Sequence, residues 1–196
     1  MPTDATVAAL GGGPGNDIFG FELCRELVLS QSSATDDVDA VELSTSAPAF
    51  SGPPRLVFDF CAEAWAPLVT KAGALLGCPA ESCTCDLSRP LTHSTNRRLQ
   101  QAASTTAVFL FSYVLQEVGA CGCWRSCVAA LWEAAPVGAL FYVKDPNDWT
   151  AHQVLQLLGG DKAGWQEGAE YCWVCGDALL LRKSSSATIG ATATNE

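Results

Sequence analysis

The sequence predicts an α/β fold in which a mostly parallel sheet carries helices on both faces. Apolar segments with strand character alternate with amphipathic segments through five strands, and a hairpin closes the chain. The fourth strand contains the unbroken apolar run AVFLF at residues 107–111, which is typical of a strand buried on both faces. A glycine-rich turn, GGGPG at residues 11–15, separates the first strand from the first helix. These features place the expected ligand site beyond the carboxyl ends of the strands.

The elements follow one another in a regular order. The first strand covers Val7 to Leu10, and the first helix begins at Asn16, where apolar residues take up helical spacing. The later strands, recognised by short apolar runs, are expected at residues 55–60, 82–87, 106–115 and 138–145. The later helices are expected at residues 62–77, 95–104, 123–135 and 148–158, with glycines following the first and last of these. Two further strands should flank a tight turn at Gly176 and Asp177.

The chain length of 196 residues favours one domain with a sizeable core. We therefore expect a single domain over residues 1–183. Residues 30–54 are rich in Ser, Asp and Pro and are expected to form an exposed loop. The tail at residues 184–196 is expected to be disordered.

Composition excludes some classes of function. Eleven basic residues against twenty-one acidic ones give a net charge of −10, which argues against broad contact with a nucleic-acid backbone by this chain alone. No apolar run approaches the ~20 residues that span a membrane. The first residues, MPTDAT, lack the features of a targeting segment. The expected location is the cytoplasm or another reducing compartment.

Ten cysteines raise the question of disulfides or a metal site. The close pairs are CTC at 83–85, CGC at 121–123 and CWVC at 172–175. Structural zinc sites favour two-residue spacers in turns, whereas the first and last pairs lie in expected strands. The sequence therefore favours free, buried thiols, no metal and no disulfide framework.

The candidate site residues lie where the expected strands end. Glycines at positions 11, 13 and 15 allow backbone amides to approach a ligand closely, next to the positive end of a helix. Asp59 ends the second strand and is suited to accept the hydroxyls of a ribose. Asp86 ends the third strand and is suited to accept an adenine amino group. Asp17 is expected to be a helix cap.

These motifs resemble those of the class I S-adenosylmethionine-dependent methyltransferases over nearly all of residues 7–183. The resemblance rests on LGGGPGND, VFDFCAEAW, CDLSRPL, FLFSYVLQE and PVGALFYVKDP. It implies a Rossmann-like sheet of seven strands in the order 3-2-1-4-5-7-6, with the seventh strand antiparallel, and S-adenosylmethionine as cofactor. By position, Gly11, Gly13 and Gly15 would line the methionine part, Asp59 the ribose and Asp86 the adenine.

The resemblance also implies that Ser112 and Tyr113 lie on the sulfonium side. The sequence departs from the family pattern at Ala9, where many members carry an acidic residue. It also shows no helices ahead of Val7, where members usually carry a lid over the site. We therefore expect a protein partner, most simply a basic one, to cover the cofactor crevice near residues 11–20, or the loop 30–54 to fold back over it.

The acceptor side depends on the end of the fourth strand. Tyr113 and Glu117 are the candidate catalytic residues, and Glu117 is the candidate base if the acceptor must lose a proton. The alternative is that Glu117 only forms a salt bridge or a cap. Three functions remain open at this point: an active methyltransferase, a catalytically silent methyltransferase-like subunit of a complex, and a nucleotide-dependent dehydrogenase.

Overall fold

The computed structural model describes residues 6–33, 55–119, 123–146, 148–158, 169–174 and 178–184. Within these ranges the strands are β1 (Thr6–Leu10), β2 (Arg55–Asp59), β3 (Ala80–Thr84), β4 (Thr106–Ser112), β5 (Leu140–Lys144), β6 (Ala169–Val174) and β7 (Ala178–Lys183). The helices are α1 (Asn16–Ser33), α2 (Ala62–Leu75), α3 (Arg97–Ala103), α4 (Leu115–Val118), α5 (Trp124–Ala134) and α6 (Asp148–Leu158). A single 3₁₀ turn, Ser94–Asn96, precedes α3. The tail beyond residue 184 and most of the expected loop at 30–54 lie outside the described residues.

The strands form one sheet in the order β3-β2-β1-β4-β5-β7-β6, which confirms the order that the resemblance implies. β1 is central, and its Ala9 is level with Val57 of β2 and Leu110 of β4. The first five strands are parallel, whereas β7 runs antiparallel to both β5 and β6. A dinucleotide-binding sheet has the order 3-2-1-4-5-6, so the inserted β7 argues against the dehydrogenase alternative.

Helices cover the two faces of the sheet unequally. On one face, α3, α5 and α6 enclose a large core that includes Phe109 and Phe141, whose rings stack with centroids 4.5 Å apart, and Trp132, whose ring lies edge-on to Phe141 at 4.9 Å. On the other face, α1 contacts β1 and β4, and α2 contacts β2 and β3. The core on that side is smaller and centres on Ile18 and Val57. The sheet surface over β5 and β7 is therefore less covered on the α1 side.

The helix and strand boundaries differ from the expected ones where tertiary contacts intervene. β4 ends at Ser112, because Tyr113 takes a left-handed conformation with φ 59°. Leu115, where the strand was expected to end, is instead the first residue of α4. β3 ends at Thr84, so Asp86 lies two residues beyond the strand. α1 continues to Ser33 and includes the first residues of the segment expected to be a loop.

The thiols divide into two groups. Of the cysteines in the described ranges, all are free; Cys78, Cys83, Cys85 and Cys127 are buried, while the other four are exposed. The expectation of core thiols therefore holds for half of these eight residues. Cys121 and Cys175 lie outside the described residues. No helix in the described ranges has the length and apolarity needed to cross a membrane.

Candidate cofactor and acceptor site

The glycine turn after β1 crosses the end of β2 at very short range. The amides of Gly11 and Gly12 donate to the carbonyl of Phe58 at 2.7 and 3.3 Å. Gly11 has a φ of +68°, and a Cβ placed there would lie 2.1 Å from Cγ2 of Val114. Only glycine satisfies both the left-handed backbone and this contact. The turn therefore brings bare backbone to the carboxyl edge of the sheet, where a ligand can approach it.

Asp59 ties this turn to the start of α2. One carboxylate oxygen, Oδ2, accepts the amide of Gly13 at 3.0 Å, and the other, Oδ1, accepts the amide of Cys61 at 2.7 Å. Each oxygen keeps a further lone pair, since an ionised carboxylate has about four acceptor sites. The two backbone bonds fix the carboxylate in one orientation. Asp59 therefore lies where it can accept hydroxyl groups from a ligand without further rearrangement.

Asp86 is held by its own turn beyond β3. Its Oδ1 accepts the amide and the hydroxyl of Ser88, at 2.9 and 2.5 Å, which is a local turn of the kind that short acidic side chains favour. The guanidinium of Arg89 lies 3.7 Å from Oδ2. That side chain is largely exposed, so this ion pair contributes little to stability. Oδ2 therefore has acceptor capacity left for a ligand.

The end of β4 contributes the third side of the site. The amide of Tyr113 donates to the carbonyl of Lys144 at 2.6 Å, which ties this turn to the end of β5. The left-handed Tyr113 is a non-glycine residue in a costly backbone conformation, a feature that concentrates at functional sites. The turn directs Val114 onto Gly11 and places α4, with the exposed Glu117, at the edge of the sheet.

One pocket of 390 Å³ collects most of these groups. It is lined by Gly11 and by three carboxylates, those of Asp59, Asp86 and Glu117, with no Lys, Arg or His among the described residues that line it. Its volume is within the range of about 300–1,000 Å³ that is usual for small-ligand sites. Such a pocket favours a cationic ligand and disfavours a polyanionic one.

Ser112 and Tyr113 do not line this pocket. They lie at the mouth of a second cavity, a groove of 590 Å³ between α1 and the sheet, whose floor includes Leu110, Tyr142 and Leu180. The expected site residues are thus divided between two neighbouring cavities that meet at the Ser112–Val114 turn. The amide of Gly13 bonds to Asp59 of the first pocket, whereas the carbonyl of Gly15, just before α1, accepts the amide of Phe19.

Asp17 lines the groove and is not a simple helix cap. It lies inside the first turn of α1 and lines the groove beside Ser112. Burial raises the pKa of its carboxyl group, and a hydrogen bond with the Ser112 side chain opposes that rise. The sequence suggested a helix cap because Asp is common at helix N-termini. Its partner, Ser112 at the end of β4, is distant in the chain, and no local pattern indicates it.

Asp145, which follows β5, is buried to 1% exposure. Burial raises the pKa of its carboxyl group, while the Thr150 side chain and the Gln116 backbone oppose the rise and Glu117 adds to it. In the described part of the chain neither of its oxygens has a hydrogen-bond partner with good geometry. Its interactions with Gln116 and Glu117 place Asp145 next to α4.

Sequence reasoning missed Phe60 and Val114. Phe60 lines the carboxylate pocket and is 72% exposed. Its position directly after Asp59 was a usable signal, because neighbours on a turn share a site. Val114 had no such signal, since its contact with Gly11 joins residues far apart in the chain.

Among the described residues, no three His, Cys, Asp or Glu side chains are placed where they could hold a metal ion together. Burial raises the pKa of the Cys83 and Cys127 thiols to about 12 and that of Cys85 still further. A pKa raised in this way favours the protonated thiol near neutral pH, and a protonated thiol is a poor nucleophile.

Comparison with known proteins gives the fold its context. No protein-family model and no curated protein matches the sequence. Among solved structures, an rRNA methylase from Streptococcus thermophilus superposes with a TM-score of 0.53 at 11% identity, over 93% of this chain and 88% of that one. An amino pentose methyltransferase from Micromonospora echinaspora, involved in calicheamicin biosynthesis and solved with S-adenosylmethionine bound, gives 0.53 at 10% identity, over 94% and 85%. The chain has the Rossmann-like class I methyltransferase fold.

Proposed function

We propose that this protein is an S-adenosylmethionine-dependent methyltransferase. The observation that carries the proposal is the set of three carboxylates, Asp59, Asp86 and Glu117, gathered around a glycine turn in one pocket of the methyltransferase fold. S-Adenosylmethionine carries a positive sulfonium and a positive amino group, whereas NAD carries a pyrophosphate. The charge of the pocket therefore favours the first ligand over the second.

The residues present fit this cofactor. The left-handed glycine turn leaves backbone free of side chains beside the pocket. Asp59, oriented by two backbone amides, would accept the ribose hydroxyls. Asp86 would accept the adenine amino group, and the exposed ring of Phe60 offers a flat apolar surface beside the purine.

When bound, the cofactor supplies an electrophilic methyl group on sulfur. Most of what the protein adds is position, since in-line alignment of donor and acceptor supplies a large part of the rate. The turn Ser112–Val114 lies between the cofactor pocket and the groove, so the acceptor would approach along the groove past Tyr113. Glu117 would accept a proton from an acceptor that must lose one. The chemical class of the acceptor is not specified by these residues.

The test is calorimetric titration of the protein with S-adenosylhomocysteine and, separately, with NAD. We expect saturable binding of the first ligand with a dissociation constant in the micromolar range or below, and none of the second. Asp59→Ala should weaken binding by about 1 to 3 kcal/mol through the loss of a charge-assisted hydrogen-bond pair. The matched control is Asp148→Ala, an exposed acidic residue at the start of α6, which should leave the affinity unchanged.

The outcomes are distinct. Saturable NAD binding without a response to S-adenosylhomocysteine would overturn the proposal. Equal losses in the Asp59 and Asp148 variants would show that general charge, and not the pocket, attracts the ligand. No observation on the described residues favours the silent-subunit alternative.

We also propose that a partner protein covers the groove. The groove floor is apolar sheet surface on strands that are mainly parallel, and such strands are normally covered on both faces. The occupant we propose is an apolar helix flanked by basic residues, because the chain carries a net charge of −10 and attracts positive surfaces. Tyr113, which lines the groove, is 50% exposed.

The probe is a synthetic helical peptide with leucines on one face and lysines on its flanks. It should bind the wild-type chain, and Leu180→Lys on the groove floor should abolish binding. Leu75→Lys, an exposed residue of α2 away from the groove, is the matched control and should not change it. Equal binding by both variants would refute the proposal. A monomer–dimer equilibrium that Leu180→Lys removes would assign the groove to a second copy of this chain instead.

A further inference from the structure

Asn96 is a fully buried polar residue outside the pocket. It ends the 3₁₀ turn before α3, and its side chain is directed at the loop that follows β3. Its Oδ1 accepts the backbone amide of Asp86 at 2.8 Å, and its Nδ2 donates to the backbone carbonyl of Asp86 at 2.9 Å. One side-chain amide thus pairs with both backbone groups of Asp86, as a neighbouring strand would.

The same nitrogen holds the rest of the loop. Nδ2 also lies 3.0 Å from the carbonyl oxygen of Pro90 and 3.3 Å from that of Arg89, so its two hydrogens are shared among three carbonyls. Buried polar groups that are fully partnered fix a unique arrangement, and removing one partner leaves the others unsatisfied. Asn96 therefore organises the loop from residue 86 to residue 90 as one unit.

Asp86 needs this partner because it lies beyond the sheet. The pairing of β3 with β2 ends where Thr84 faces Asp59, and the last bond along this edge runs from the Cys85 amide to the Asp59 carbonyl at 3.1 Å. From Asp86 onward, no strand in the described ranges pairs with the backbone of this loop. Asn96 takes over that role, and this fixes the direction in which the Asp86 side chain leaves the backbone.

The carboxylate of Asp86 is then oriented in two stages. Asn96 holds its backbone, and the Ser88 amide and hydroxyl occupy Oδ1, so that Oδ2 is the oxygen with capacity for a ligand. Asn96 itself does not line the pocket, so it acts on the site only through Asp86.

We infer that Asn96 is a positioning residue that sets the purine specificity of the site, by holding Asp86 where its carboxylate accepts the exocyclic amino group of adenine. The inference rests on the proposed function. It predicts that loss of Asn96 mainly lowers the preference for a purine that carries the amino group over one that lacks it. The affinity for the rest of the ligand should fall less.

The experiment compares S-adenosylhomocysteine with its deaminated analogue, S-inosylhomocysteine, in which an oxygen replaces the amino group. The wild type should prefer the first ligand by about 10- to 100-fold, the ratio expected for a hydrogen bond to a charged acceptor. In Asp86→Ala the preference should fall to within about 3-fold. Asn96→Ala should show the same fall, and the double variant should show no further one, because both residues act through one carboxylate.

Thr106→Val is the matched control. Thr106 is also fully buried, and its hydroxyl donates to the Ala102 carbonyl at 2.9 Å, but it lies at the opposite end of the sheet from the pocket. This variant should lose stability and keep the wild-type preference. A preference unchanged in Asn96→Ala while Asp86→Ala loses it would overturn the inference. A wild type that binds neither ligand would instead refute the proposed function.

Hydrogen exchange of the ligand-free wild type provides a readout that needs no variant. The Asp86 amide, bonded to a buried side chain, should exchange as slowly as the Cys85 amide, which is bonded to β2. Fast exchange at Asp86 beside slow exchange at Cys85 would show that Asn96 does not hold the loop and would refute the inference, whether or not Asn96→Ala folds.

Discussion

Gly11 offers the most direct test of how the site is built, through the substitution Gly11→Ala. A methyl group at this position would lie 2.1 Å from Cγ2 and 2.3 Å from Cβ of Val114. The backbone there has a φ of +68°, where an L residue costs roughly 1–2 kcal/mol. Overpacking at a rigid contact adds about 1–3 kcal/mol. The expected loss of unfolding free energy is therefore about 2–5 kcal/mol, a large share of the about 5–15 kcal/mol that a domain holds.

The two costs can be separated experimentally by urea denaturation of a double-mutant cycle. Val114→Gly removes all three atoms that crowd the new methyl group, so Gly11→Ala made in that background should cost only the conformational part. The coupling energy should be about 1–3 kcal/mol. Gly20→Ala is the matched control, because a Cβ there meets nothing within 4 Å and the residue lies inside α1. It should add about 0.5–1 kcal/mol.

The same cycle bears on binding, because Gly11 and Val114 both line the carboxylate pocket. Gly11→Ala should weaken the binding of S-adenosylhomocysteine, by more the further the new methyl group displaces the glycine turn. Gly20→Ala should leave this binding unchanged. A Gly11→Ala protein as stable as the wild type would refute the reasoning. So would a cycle with no coupling to Val114.

Three further predictions concern Asp145, Lys183 and the cysteines. Asp145→Asn should raise the free energy of unfolding at pH 7 but not at pH 3. Burial raises the pKa of the Asp145 carboxyl above its ordinary 3.8, so the unfolded state ionises first as the pH rises and the wild type loses stability. A stability difference between variant and wild type that persists at pH 3 would contradict this. Lys183→Met should lower the free energy of unfolding, measured in urea, by about 1.5–3 kcal/mol, because Nζ donates to the carbonyls of Trp132, Glu133 and Ala135 at 2.7, 2.8 and 2.7 Å. The control Lys71→Met, an exposed change on α2, should alter it by no more than about 0.5 kcal/mol. Thiol titration should find ten free thiols in denaturant, with Cys78, Cys83, Cys85 and Cys127 unreactive in the folded chain; one equivalent of bound zinc or a missing thiol pair would contradict it.

The strands were predictable because their signals are local. Each apolar run, such as residues 107–111, has to be buried on both faces, and the alternation with helices leaves few ways to arrange the sheet. The glycine at residue 77 ends α2 as expected, with a φ of +62°. The strand order itself depended on the family resemblance, since apolar runs alone do not say that β7 inserts between β5 and β6.

The site was less predictable, because its geometry depends on partners distant in the chain. The acids after β2 and β3 could be found at strand ends, and the structure brings Asp59 and Asp86 into one pocket. The turn that separates them from Ser112 could not be found, because an aromatic residue in a left-handed conformation has no local signal. In that conformation the amide of Tyr113 donates to the carbonyl of Lys144, a hydrogen bond that joins the ends of β4 and β5.

The same reasoning explains why the residues that hold the site differ in kind from those that line it. Backbone amides and Ser88 fix the orientation of Asp59 and Asp86, and each carboxylate still has lone pairs left for a ligand. Asn96 then fixes the backbone of Asp86 from ten residues away. A carboxylate held in this way loses little freedom when a ligand binds, which reduces the entropic cost of binding. The acids are therefore the parts of this site whose orientation is fixed before any ligand binds.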